Sequence, residues 1–453
     1  MQEFDISLEI LNSILDDKVS FADALKEKFQ KDVAVRPLRP FVAGLVGCEL
    51  RHHLLFTYLI DEIEKSVPEG EAKLEENERR FLALTIGNDF FYRHIEADTA
   101  NEAFKAMLSD PAKYDRFASF LAKSSTTSDI IPESISRSSE QYLSLRYNTP
   151  FWTIKIWKHF GYGALYKTLR KFARPENSYL RVRTSLISVE EVLKNPDFAA
   201  TPVQGILLYK GKTPLRKLDI YREGKVFLER PLTKTVFEEH KVAEPSEILL
   251  YNGTADSSLE KELIETYGGA IGLNLGTPDV EKKLDVSKMI KDLGLHNVNF
   301  YSADPLAMEA AISKKQDVVF CVPESTNFDR VRSSPDFLLN FDKGKMDGIL
   351  ENETNALYGC AKFVEVNGVL VYMVYTISKK EGPSKVYSFL RDHSDFKLES
   401  EKQHFPYEES DTALYVAVLR RVPSEIALEG RDNPEIFLKS QEHSSISAAS
   451  AKN

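Results

Sequence analysis

Apolar side chains recur every three or four positions through the first quarter of the chain. Leu8, Leu11 and Leu15 make one stripe, and Phe21, Ala24, Leu25 and Phe29 make another. Val42, Leu45 and Val46 open a third, continued by Leu54, Leu55, Leu59 and Ile63, and Phe81, Leu84, Phe91, Phe104 and Leu108 extend the set. This period predicts amphipathic helices. Short connections such as VPEGEAK at 67–73 suit a compact helical bundle over 1–123. Residues 124–140, rich in Ser and Thr, read as a connector.

Beyond residue 176 the period shortens. NSYLRVRTSLI, GILLYK, KLDIY and KVFLER read as short strands, with SVEEVLKN a helix between the first two. They complete a small α+β unit over 141–241. From Ser246 strands and helices alternate: EILLYN, AIGLNL, NVNFYSAD, QDVVFCV, GVLVYMVYTIS and TALYVAVLRRV are strands, and SSLEKELIETYG, DVEKKLDVSKMIKDLGL and KVYSFLRDH are helices. That alternation predicts a doubly wound, Rossmann-like α/β domain over 242–428, with its ligand site at the carboxyl ends of the strands. The segment 429–453, ending SQEHSSISAASAKN, reads as a disordered tail.

Composition narrows the function classes. A chain of 453 residues, 42% of them hydrophobic, has room for two or three domains with their own cores. It shows no apolar run of membrane-spanning length and no charged-then-apolar leader. Its net charge of -10 argues against a uniformly basic, histone-like binder. The three cysteines, Cys48, Cys321 and Cys360, lie far apart with no CxxC pair, so neither a metal site nor a disulfide framework is indicated and a cytoplasmic setting is expected. His52 and His53 are adjacent, point to different sides of a helix, and suit surface or cap positions.

One stretch departs from the acidic balance. Between 145 and 184 lie both tryptophans, Trp152 and Trp157, with Arg146, Lys155, Lys158, Lys167, Arg170, Lys171, Arg174, Arg181 and Arg183, opposed only by Glu176. Cations neutralise phosphates and aromatic faces stack on unpaired bases, so the stretch points to RNA. Ile154, Trp157, Leu165, Leu169 and Phe172 recur at helical spacing, which assigns part of the aromatic content to the core.

The order of segments resembles the RsmB/Sun-type ribosomal RNA 5-cytosine methyltransferases over nearly everything but the tail. Asn148-Thr149-Pro150-Phe151-Trp152 and Arg181-Val182-Arg183-Thr184 are similar to the family's junction, and Glu223-Gly224 to the turn before its Gln-Asp strand, here Glu229-Arg230. NGVLVYMVYTIS followed by VYSFLRDHSDF resembles the last catalytic strand and the next helix, and SSPDF near Pro335 the segment after the earlier catalytic loop. The resemblance implies a multi-domain protein: an all-α NusB-like helical bundle, a small α+β RNA-facing subdomain, and a Rossmann-like methyltransferase domain. It also implies S-adenosylmethionine as cofactor and ribosomal RNA as partner. A monomer is expected, with neither DNA nor a membrane as partner.

The family's chemistry uses a cysteine thiolate that adds to C6 of cytosine, and a second cysteine in a Pro-Cys loop that assists breakdown of the adduct. A thiolate suits because it is nucleophilic near neutral pH and leaves readily. This sequence departs at both places. Tyr375 stands at the nucleophile position, and the second position is Ser325 on a gapless match or Glu324 when anchored on Pro323. A phenol with an ordinary pKa of about 10 is a poor substitute. Cys321 lies too early and reads as a buried strand cysteine. The cofactor loop keeps Gly253 but lacks the adjacent glycine pair, Ser258 replaces a lysine, and Asn274 stands for the acid that binds the ribose. Asp304 matches the adenine-side aspartate and Asp317 the aspartate opening the next strand. These departures favour an RNA-binding protein of this family without catalysis. The alternatives are an active S-adenosylmethionine-dependent RNA 5-methylcytosine enzyme using Cys321, a protein-interaction scaffold, and a cofactor sensor without turnover.

Overall fold

The computed structural model describes residues 2–69, 71–125, 129–240, 247–252, 257–269, 271–277, 284–408 and 411–423. Gly253 and the tail 429–453 lie outside the described residues. The chain divides into two compact units, one of residues 1–176 with 330–343 and one of 177–329 with 344–453.

The first unit is helical. Its elements are α1 (Gln2–Leu15), α2 (Phe21–Lys31), α3 (Arg39–Glu64), α4 (Glu76–Ile86), α5 (Ala97–Met107), α6 (Asp115–Leu121), α7 (Glu140–Arg146), α8 (Phe151–Lys158) and α9 (Tyr162–Phe172). The periodic apolar positions become the core: Phe4, Leu11, Val42, Leu45, Phe56 and Phe81 are buried together, and Phe4 stacks on Phe81 at 5.2 Å. Ser20 caps α2 by accepting the Asp23 N–H. Glu75 and Glu78 form a reciprocal capping box at the start of α4. His52 and His53 are half-buried within α3 rather than on the surface or at a cap. The His52 ring stacks on Phe91 at 4.1 Å, and His53 Nδ1 lies 2.6 Å from the buried Glu49 carboxylate. Both lie on the inner side because α3 packs along most of its length.

Asn148 fixes the basic helices onto this bundle. It has a left-handed backbone (φ 47°), which asparagine tolerates better than most residues. Its buried amide donates to the Leu50 carbonyl at 2.7 Å and accepts the Leu54 N–H at 2.9 Å. Residues 50 and 54 are an i, i+4 pair in α3, so one side chain addresses two backbone groups on adjacent turns. Pro150 then starts α8, with its carbonyl accepting the Thr153 and Ile154 N–H groups.

The second unit holds both sheets. Strands β1 (Ser178–Val182), β2 (Phe198–Ala200), β3 (Ile206–Tyr209) and β4 (Val226–Leu228) form an antiparallel sheet in the order β2-β3-β1-β4. Around it lie α10 (Val189–Leu193), α11 (Asp219–Arg222) and α12 (Pro231–Glu239). The segment KLDIY, expected as a strand, is instead a 3-10 turn running into α11. Leu218 and Ile220 still pack on the small core, so their alternation reports burial without strand pairing.

The large sheet comprises β5 (Glu247–Tyr251), β6 (Gly272–Thr277), β7 (Val298–Ser302), β8 (Gln316–Cys321), β9 (Val364–Val374), β10 (Phe396–His404) and β11 (Leu414–Arg421), ordered β10-β11-β9-β8-β5-β6-β7. Strands β5 to β9 pair in parallel, while β11 runs antiparallel between β9 and β10. Its connecting helices are α13 (Ser258–Tyr267), α14 (Leu284–Asp292), α15 (Pro305–Ala311), α17 (Met346–Ala361) and α18 (Pro383–Asp392), while α16 (Phe337–Asn340) belongs to the first unit. One sheet face packs through Ile248, Leu250, Phe320 and Val371, the other through Leu249, Val319, Leu357 and Tyr372. This is the doubly wound, Rossmann-like arrangement expected from the alternation, with β5 and β8 meeting where the winding reverses.

Two predictions follow from the first unit. Asn148→Ala removes two buried hydrogen bonds to the Leu50 carbonyl and Leu54 N–H, which can still pair with each other along α3, and should cost about 1 kcal/mol of stability in urea unfolding. A change below a few tenths of a kcal/mol would show that water replaces the amide. The second concerns Glu78, whose ion pair with Lys113 is 2.8 Å long and buried on both sides. Burial alone raises the Glu78 carboxyl, but Lys113 and Ser109 outweigh it and hold the pKa down at about 2. The unfolded value is about 4.3. The pair's contribution is therefore complete above about pH 4.3 and is lost as pH falls toward 2. Melting temperatures should drop across that window in the wild type, and less steeply in Glu78→Gln.

Candidate functional site

The helices α8 and α9 separate their residues by face. Ile154, Trp157, Leu165 and Leu169 are buried, as helical spacing predicts, and Trp157 packs on Phe172 at 5.4 Å. Arg146, Lys155, Lys158, Lys167, Arg170 and Arg174 are exposed, and Lys171 is half-buried. Lys158 pairs with Glu140 at 2.6 Å. Arg146, Lys155, Arg170 and Arg174 make no ion pair among the described residues. Trp152 is half-buried and stacks on Phe341 with centroids 5.3 Å apart, so part of its ring is covered by the chain itself. The aromatics that do reach solvent are others: Phe151 is 48% exposed, Tyr162 44% and Tyr166 41%. The sequence held a signal for the two tyrosines, since each precedes a buried leucine by three positions and so lies at the margin of the core stripe.

Arg181 and Arg183, expected among the RNA contacts, are turned inward. They lie at and just beyond the end of β1, 6% and 7% exposed. Arg181 Nε donates to Glu262 and Arg183 Nε to Glu265, both at 2.8 Å, so the two arginines hold α13. Burial raises the Glu262 carboxyl above its usual range, although Arg181 pulls the other way. A guanidinium so enclosed cannot meet a phosphate without breaking its pair.

At the carboxyl edge of the large sheet, Asn252 follows β5 with φ 63°. Its N–H donates to the Gly276 carbonyl at 3.0 Å and its side-chain amide to the Val322 carbonyl at 2.9 Å. The chain thus bridges its own switch point. Asn274, expected to close the second strand and hold a ribose, lies before the strand's end. It sits in mid-strand on β6, buried, and its amide donates to Gln316 at 3.0 Å and accepts from Asn299 at 3.3 Å. Gln316 begins β8, so this amide cluster lies away from the carboxyl ends. The strand ends in the uncharged pair Gly276 and Thr277. Asp304 is exposed just beyond β7, where its carbonyl accepts the Met308 N–H and starts α15.

Tyr375 follows β9, and its phenol lies 3.1 Å from the Thr233 hydroxyl. Arg230, which pairs with Asp329, stands 6.0 Å from the centre of its ring. Burial, and then the charge of Glu229, push the Tyr375 phenol far above its ordinary value, so it stays protonated and un-nucleophilic. Glu324 is exposed, while Ser325 is buried with its Oγ accepting the Asn327 N–H at 3.3 Å. Cys321 is fully buried on β8 between α17 and the sheet. Burial and a hydrogen bond with Cys360 raise its thiol well above the usual range. A thiol so enclosed is held in its neutral form, which is the less nucleophilic one.

Three residues that the sequence did not single out tie these loops together. The hydroxyls of Thr326 and Thr376 lie 2.7 Å apart, and both contact the Glu381 carboxylate, at 2.9 and 2.7 Å. The Thr326 N–H adds a bond to the same carboxylate at 2.7 Å, and all three side chains are buried. Beneath them, Glu353 is buried on α17, its pKa pushed up to about 10 by burial and by Glu381.

The mixed seven-stranded sheet with its antiparallel β11 defines a Rossmann-like domain of the methyltransferase type. Among solved structures the chain is similar to PH0851, with 19% identity and a TM-score of 0.68 over 93% of this chain and 99% of that one. It is also similar to NSun6 from Pyrococcus horikoshii, solved with SFG, at 15% identity and a TM-score of 0.53 over 60% of this chain and 98% of that one. A methyltransferase homolog protein from Pyrococcus horikoshii matches at 12% identity and a TM-score of 0.52 over 62% and 98%. At these identities the likeness is one of fold. No sequence family matches the chain, and no curated protein does.

Of the cofactor positions that the resemblance implies, the loops 253–256 and 278–283 lie outside the described residues. The Asn252 amide is spent on Val322, β6 ends without a carboxylate, and Asn274 is committed elsewhere, leaving Asp304 as the expected acid at that edge. Replacing Arg181 separates the inward cations from the outward ones. Arg181→Met leaves Glu262 buried and unpaired and should cost about 3–5 kcal/mol in chemical unfolding. RNA affinity, measured on the folded fraction, should stay within two-fold, about 0.4 kcal/mol. A large affinity loss without destabilisation would return Arg181 to the interface.

Proposed function

We propose that this chain is an RNA-binding protein built on an RNA-methyltransferase fold, acting on ribosomal RNA or in ribosome assembly, without cytosine-5 methyl transfer. The observation that carries the reading is the exposed basic face of α8 and α9 in a chain of net charge -10. Such a local reversal of sign attracts a polyanion and little else. Support for the absence of transfer comes from the positions that the resemblance assigns to two thiols, where the Tyr375 phenol and either the buried Ser325 hydroxyl or the exposed Glu324 stand instead. The RNA class follows from the family resemblance and agrees with the fold of the structural neighbours. We place the protein in the cytoplasm as a monomer, with free thiols consistent with a reducing setting.

Fluorescence anisotropy with fragments of ribosomal RNA tests this reading. With about five phosphates neutralised, log K should fall against log salt with a slope of about -3 to -4. Calorimetric titration with S-adenosylmethionine should give no binding heat, and labelled cofactor should leave no methyl group on cytosine C5. Salt-independent binding, absence of binding at low salt, or cofactor-dependent labelling of RNA would each overturn the proposal.

A further inference from the structure

We propose that Tyr162, Tyr166 and Arg170 form a platform on which consecutive unpaired bases of a single-stranded RNA stack. The inference rests on the RNA-binding reading and names the class of RNA that the α9 face takes. Both tryptophans of the basic stretch are engaged by the chain, Trp157 inside the core and Trp152 against Phe341. The two tyrosines instead present 44% and 41% of their surface to water. They stand four residues apart on one helix, with Arg170 a further turn along and its guanidinium 5.7 Å from the Tyr166 ring centre. Guanidinium planes and aromatic rings alike accept a nucleobase face.

Both rings are held in place. The Tyr162 hydroxyl donates to the Ser138 carbonyl at 3.1 Å. Tyr166 meets Tyr147 edge to face, with centroids 6.3 Å apart and an angle of 86°. The phenol of Tyr147 is pushed up to about 12, by burial first and then by its bond to Tyr166. Rings anchored at their polar ends lose little freedom when a base lands on them.

The spacing selects the ligand. Four residues of helix rise about 6 Å, so bases laid along α9 each meet their own ring. In a duplex the faces of the bases are already covered by their neighbours, and such rings find nothing to stack on. Exposed Lys167 and Arg174 lie along the adjacent stripe of α9 and its C-terminal extension, where the phosphates of that strand run. This charge complementarity commits the face to a single-stranded nucleic acid.

Anisotropy of the full chain with a labelled oligouridine, and with an RNA duplex of equal length, tests the platform. Oligouridine should bind more tightly than the duplex at the same salt. Tyr162→Ala and Tyr166→Ala should each weaken oligouridine binding about ten-fold with an unchanged salt slope. Tyr162→Phe and Tyr166→Phe, which keep the ring face and lose only the hydroxyl anchor, should weaken binding by no more than about three-fold, while Lys167→Gln should flatten the slope. Circular dichroism establishes that each variant is folded. If an alanine variant fails to fold, the wild-type comparison of oligouridine with duplex still decides. Equal affinity for duplex, or full affinity in the folded double alanine variant, overturns the platform and leaves the broader RNA reading intact. Polyglutamate competing as well as oligouridine also overturns it. Failure of every RNA to bind at low salt removes the RNA-binding reading, and the platform with it.

Discussion

One buried amide sets the position of the basic helices. Asn148 reaches a carbonyl and an N–H on successive turns of α3, from a backbone conformation that most residues avoid. The residues after it continue the fixation. The Thr149 N–H bonds the Ser144 carbonyl, Pro150 starts α8, and Trp152 stacks on Phe341. A motif dense in aromatic and polar groups therefore spends most of them on holding two helices still. What remains outside is a set of cations and tyrosine rings on a rigid support, which is what a binding face needs to be selective.

Burial decides what each cation can do. Lys113 is enclosed with Glu78, Arg181 with Glu262 and Arg183 with Glu265, and each pair holds one element to another. Lys155, Arg170 and Arg174 keep their water and so can exchange it for phosphate oxygens. In the sequence, Arg181 and Arg174 belong to one run of basic residues. They differ because a strand with a packed face begins at Ser178, after which arginines enter the interior with their partners.

The same physics explains how much could be read beforehand. The helices of the first unit and the strands β5, β6 and β8 follow from apolar period, because much of their length is buried, while β7 at the sheet edge is legible from Val298 and Phe300 though only partly buried. The strand β10 was invisible: FKLESEKQH is mostly charged, as suits the edge of a sheet that must not pair further. The helix α17 was hidden by Glu353, a carboxyl at a core position that breaks its apolar stripe. Asn274 was misplaced because strand ends are set by pairing, and β6 pairs onward to Thr277 with Ser302. The substitutions at the two thiol positions needed no structure to be seen. Their surroundings did, since the fold encloses the Tyr375 phenol beside Thr233 and Arg230.

The sheet and the basic helices are held by different interactions. The sheet is held by strands whose side chains are enclosed on both sides, and nothing in that core depends on a thiol at its edge. Once the thiols are absent, the loops after β8 and β9 still end in buried backbone that must find partners. Thr326, Thr376 and Glu381 answer that need among themselves, and Asn252 does the same across β5, β6 and β8. Among the described residues of that edge, these polar groups are thus bonded within the chain. The face of α8 and α9 differs, since Lys155, Arg170 and Arg174 are exposed and two of its rings are partly so. Under the proposed RNA reading, binding free energy comes from exposed cations and ring faces of this kind, so that reading rests on the helices rather than on the sheet.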